Sequence, residues 1–187
     1  MSVSATDTGT ARGHHVLPHW PSALGLAAAA LQLATGVNRD TVAITVTVAT
    51  LCYLGAAATS RPWVAWAGIP AGSAVVVVSE LADLTWWAGV GIAALALAAI
   101  GLLRGASRPA VTAQTLALVG YGGLAVVALF IAPRVGLVLA GVALASHAVW
   151  DLEHYRRNQV VPRSLSEFCM LLDVPLGVGA IVLAIMD

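Results

Sequence analysis

Seven apolar runs, each close to the length that crosses a bilayer, follow one another with breaks of only a few residues. A hydrocarbon core about 30 Å thick takes about 20 residues of helix. Inside it every backbone N–H and C=O needs a partner within the protein, which restricts spanning segments to helices and closed barrels. The runs lie at 21–37, 41–59, 62–80, 85–103, 109–131, 134–156 and 164–186. Breaks such as Asn38-Arg39-Asp40, Ser60-Arg61-Pro62 and Pro133-Arg134 leave room only for antiparallel neighbours. The pattern predicts an all-α, polytopic integral membrane bundle of seven transmembrane helices, one domain over 21–187 behind a polar tail, 1–20. Spans 1 and 2 are each marginal, and a re-entrant hairpin is the alternative there. The tail lacks the 7–15 apolar residues of a secretory signal.

Composition closes off several classes of function. Only 10% of the 187 residues are charged and 59% are hydrophobic, whereas a soluble domain carries about 25% charge. The formal net charge is zero, so there is no basic footprint for nucleic acid. All nine cationic residues are arginine, which removes lysine Schiff-base chemistry and with it a retinal pigment. Cys52 and Cys169 both sit in apolar runs, so neither a disulfide framework nor a cysteine-rich zinc site is expected.

Arginine also orients the bundle, because cytoplasmic loops are enriched in cations. With seven spans, Arg12, Arg61, Arg104, Arg108, Arg156, Arg157 and Arg163 share one side, against Arg39 and Arg134 on the other. The N-terminus is therefore expected in the cytoplasm and the C-terminus outside, in a multi-pass cell-membrane protein. Trp20, Trp63, Trp66, Trp86, Trp87 and Trp150 all fall near span ends, where indole rings sit at headgroup level. Runs of glycine and alanine let helix backbones approach closely, and Pro70 and Pro175 lie inside spans. Gln32 and Gln114 are mid-span amides, suited to holding helices together.

Ionisable groups inside a membrane are costly and point to function. Glu80 and Asp83 reach the outer end of helix 3 and offer a second, outer polar site. Ser164-Leu-Ser-Glu167, ahead of the last run, has the form of a capping box. The remaining groups concentrate in one hairpin. His147, Asp151 and His154 are spaced four and three apart, and so share a helix face. Counted inward at ~1.5 Å per residue, His147 on helix 6 and Asp173 on helix 7 both lie about 13 Å deep, near the midplane. Asp173 stands two residues before Pro175. His147, Asp151, His154 and Asp173 are thus candidate ligands for zinc or iron. Asp173, His147 and Asp151 are equally candidate catalytic groups for proton transfer. Cys169 is one turn from Asp173. His14, His15 and His19 in the tail could close over the cluster as further ligands.

The stretch His147-Ala-Val-Trp150-Asp151-Leu-Glu-His154, followed by Pro162 and then Cys169 to Pro175, resembles an uncharacterised family of small bacterial integral membrane proteins sharing H-A-x-W-D-x-x-H. That resemblance implies the bacterial inner membrane and no particular activity. In its logic the chain is also similar to two groups of membrane enzymes. Seven-helix metal hydrolases of the alkaline ceramidase and adiponectin-receptor type use three histidines and an aspartate; within the predicted spans an H-x3-H pair and a clear S-x3-H are absent. Small membrane terpene cyclases use two separated acids, a pair that Glu80 and Asp173 would imitate from different depths. The function expected is a membrane-embedded enzyme, cyclase- or hydrolase-like, acting on a lipid or isoprenoid-like substrate. A proton-linked transporter or channel subunit built on the same His/Asp relay is the alternative.

Overall fold

The computed structural model describes residues 19–186, which form seven helices joined by short turns. They are α1 (Trp20–Thr35), α2 (Arg39–Thr59), α3 (Val64–Leu81), α4 (Trp86–Leu103), α5 (Arg108–Ala128), α6 (Pro133–Arg157) and α7 (Arg163–Met186). His14 and His15, considered above as ligands, lie outside the described residues. α2 to α7 are long and apolar enough to cross a membrane. α1 is a helix of 16 residues; at ~1.5 Å per residue it rises about 24 Å, short of a core about 30 Å thick. The described chain is therefore an all-helical, membrane-type bundle with six full-length candidate spans.

α2 is the axis. Of its apolar stretch 83% is buried, against 22% in α3, α4 and α5, and it packs on every helix from α3 to α7. Its start is fixed by Asn38, whose side chain accepts from the Thr41 N–H at 2.9 Å while Thr41 Oγ1 accepts from the Asn38 N–H at 3.1 Å. Thr47 and Thr50 donate their hydroxyls to carbonyls one turn back. Their polarity is thus absorbed within the helix, and the surrounding core can stay apolar.

The α6–α7 hairpin owes its closeness to two glycines. A methyl on Gly141 would lie 2.7 Å from the Gly177 carbonyl oxygen, and one on Gly177 would lie 2.6 Å from that of Gly141. Only hydrogen at both positions permits this crossing. α1 lies along α7 in the same way, with Gly25 pressed against the backbone carbonyl of Phe168.

The expected capping box at 164–167 does not form. Ser164 Oγ accepts from Trp66 Nε1 at 3.1 Å, and Glu167 accepts from the Ser22 hydroxyl, with His19 Nδ1 3.9 Å away. Partners on neighbouring helices outcompete the local backbone, and the two side chains tie α7 to α3 and α1. The tryptophans also divide their duties. Trp63 and Trp20 are exposed, Trp86 is buried, and Trp66 and Trp150 donate hydrogen bonds into the bundle.

Candidate functional site

The Gly141–Gly177 crossing sets the register of what lies next to it. Six residues on along α6 is His147; four residues back along α7 is Asp173. His147 Nδ1–H donates to Asp173 Oδ2 at 2.8 Å, and Asp151 Oδ2 is 3.4 Å from the same nitrogen. His147, Asp151 and Asp173 thus meet across the α6–α7 hairpin. All three side chains are fully buried.

Tyr53, brought by the central helix, completes the group. Its hydroxyl donates to Asp151 Oδ1 at 2.5 Å and lies 3.1 Å from Ser166 Oγ. A phenol has one proton, so Ser166 is the donor in the second bond. The rings of Tyr53 and Tyr121 stand edge-on to the His147 imidazole, with centroids 5.7 and 5.1 Å away. Tyr121 sits on a π-helical turn of α5, Leu118–Gly122. Such turns often mark functional positions; this one carries a ring to the imidazole.

His154 is not part of this cluster. Its Nδ1–H donates to the Trp150 carbonyl at 2.8 Å, so Nε2 is an acceptor and takes a hydrogen from Gln114 Nε2 at 3.0 Å. Gln114 Oε1 in turn accepts from Trp150 Nε1 at 3.0 Å. Every polar atom in this small network has a partner, which gives it a structural role between α5 and α6. Gln32 likewise joins α1 to α2 through Thr45, at 3.2 Å. A cavity of about 410 Å³ is lined by His154, Gln114 and Trp150 together with Glu153, Arg157 and Gln159. Cys169 is buried. Glu80 and Asp83 are exposed at the other end of α3. Asp83 has a positive φ of 56° in the turn to α4, and neither acid approaches the cluster.

Three atoms of the cluster are left without partners: His147 Nε2, Asp151 Oδ2 and Asp173 Oδ1. Native interiors rarely leave buried polar atoms so. Among the described residues no arginine pairs with either carboxylate. One imidazole nitrogen and two carboxylate oxygens can be chosen that all lie within 4.8 Å of one another. This donor set fits a divalent ion. Two carboxylates and a dication are neutral together, whereas two uncompensated carboxylates in a dry interior would be severely penalised. His147, Asp151 and Asp173 could therefore hold a metal ion.

Sequence reasoning missed Tyr53, Tyr121 and Ser166. Tyr53 was open to the same depth count, since it lies six residues from the end of α2, as Asp151 does from the end of α6. That puts both about 9 Å deep at ~1.5 Å per residue. Gly120-Tyr121-Gly122-Gly123, a glycine cluster within a span, was the visible sign of irregular helix at Tyr121. Comparison of the chain with protein-family models, with curated proteins and with solved structures finds no match in any of the three.

Proposed function

We propose that this protein is a membrane-embedded enzyme acting on a lipid or isoprenoid-like hydrophobic substrate, with His147, Asp151 and Asp173 holding a zinc or iron ion. The observation that carries the reading is that one imidazole and two carboxylates, all without access to solvent, can each bring a ligand atom within 4.8 Å of the others. Such an ion, when bound, supplies polarisation of a substrate oxygen or an acidified water. Tyr53 fixes the Asp151 carboxylate through Oδ1 and leaves Oδ2 directed at the cluster. His147 is held between two carboxylates and two aromatic rings, which restrict its rotation. In this reading α1 supplies the seventh span, the N-terminus is cytoplasmic and the C-terminus external, in keeping with the arginine distribution. The same arrangement puts the cluster in the half of the bundle nearer the cytoplasm.

The test is a comparison of total lipid extracts from membranes carrying the wild type or Asp173→Asn, by mass spectrometry. A lipid-soluble species consumed or formed only with the wild type is the expected result; identical extracts count against an enzyme. A proton-linked transporter or channel subunit is the second reading. It is favoured by the complete burial of all three groups, which suits a relay as well as a reaction centre. Flux through liposomes driven by a pH gradient, lost in Asp173→Asn with unchanged lipid extracts, would select it.

A further inference from the structure

A narrow cleft runs between α1 and α3, with α2 and α7 as its floor. Its volume is about 240 Å³. Leu165, Phe168 and Leu172 line it from α7, and Thr45, Ala49 and Cys52 from α2. Ser73, on α3, is exposed at its side, so the opening faces the lipid and not either aqueous surface. Counted from the ends of α7 and α2 at ~1.5 Å per residue, the lining runs from about 3 Å deep at Leu165 to about 21 Å at Thr45. A cleft about 18 Å long and parallel to the helices matches one leaflet of hydrocarbon, about 15 Å. Its walls are apolar almost throughout, and its small volume spread over that length admits a single file of methylenes.

No residue of the cluster lines the cleft, but residues next to the cluster along α2 and α7 do. Cys52 precedes Tyr53, Leu172 precedes Asp173, and Cys169 lies one turn from Asp173 on α7. The cluster, about 9 to 15 Å deep by the same count, falls within the span of the cleft. From this we infer that the α1–α3 cleft binds one hydrocarbon chain, acyl or isoprenyl, drawn sideways from the bilayer and laid alongside His147, Asp151 and Asp173. Its identification as the chain of a substrate rests on the enzymatic reading above; its occupancy by a chain does not.

Photolabelling decides the matter without reference to activity. The full-length protein is reconstituted in vesicles of phosphatidylethanolamine and phosphatidylglycerol containing a trace of phospholipid with a mid-chain diazirine, illuminated, digested and mapped by mass spectrometry. Lipid-facing residues such as Leu95 and Leu103 are exposed and will be labelled in any case. Val48, Ala49 and Cys52 are buried on the central helix and line the cleft. Adducts on Val48, Ala49 and Cys52 are expected. Ala49→Trp, which fills the floor, should abolish them while α4 adducts persist. Ser73→Trp, at the exposed side, should do the same should the first variant not fold. Adducts confined to outward-facing residues, or unchanged α2 labelling in Ser73→Trp, would overturn the inference. His147→Ala should keep the α2 adducts. Retained adducts together with lipid extracts indifferent to Asp173→Asn would dismiss the enzyme and leave the chain site standing.

Discussion

Asp173→Asn keeps the shape of the side chain and removes its charge, leaving His147 facing an amide where it now faces a carboxylate. Breaking one side of a buried, hydrogen-bonded pair typically costs about 3–5 kcal/mol, and residues in one network are not additive. The double change Asp173→Asn with His147→Ala should therefore cost little more than either single change. Unfolding in mixed micelles, followed by tryptophan fluorescence, measures all three; strict additivity would dissolve the shared site. Tyr53→Phe removes only a hydroxyl, yet it strips Asp151 Oδ1 of its donor, and a buried group so orphaned costs about 1–3 kcal/mol. His154→Ala is the contrasting change. It should disturb Gln114 and Trp150, with which it forms a closed network, and leave metal content untouched.

At the scale of the helix, the site depends on how closely α6 and α7 approach. Gly177→Ala places a methyl 2.6 Å from the Gly141 carbonyl oxygen, so the helices must separate. Overpacking of this kind costs about 1–3 kcal/mol, and here it should also lengthen the His147–Asp173 hydrogen bond. Loss of metal from Gly177→Ala, though it touches no ligand, is the expected result; retention with full affinity would show the crossing to be irrelevant to the site. Glu167→Gln has a different consequence from that of a lost cap. Because Glu167 meets Ser22 and His19, the change should loosen α1 and leave the start of α7 intact. Hydrogen exchange should rise at 20–26 and stay level at 163–170, whereas the reverse pattern would restore the capping box.

The whole molecule was legible in the sequence to the extent that its physics is one-dimensional. Span length and apolar content are properties of consecutive residues, so α2 to α7 appear within a few residues of where hydropathy puts them. Depth is also a linear count, and it joined His147 to Asp173 across two helices. Rotation about helix axes is not a linear count. Which helix is central, and hence that Tyr53 reaches Asp151, depends on five packing partners of α2 that the sequence does not order. His154 shares the face of His147, yet Gln114 claims its free nitrogen from a third helix. The short α1 leaves the number of spans to be fixed by topology. A reporter active only outside the cell should work when fused to the C-terminus and fail at the N-terminus and near Arg104. Activity at both ends would mean an even number of spans.

Elemental analysis of the purified protein tests the central claim most directly. The wild type, extracted in mild detergent without chelators, is expected to carry about one zinc or iron per chain, since three protein ligands suffice for tight binding when one position is left open. His147→Ala and Asp173→Asn should arrive folded but empty, and His154→Ala should arrive loaded. A wild-type protein that is folded, able to transform lipid and free of metal would contradict the account.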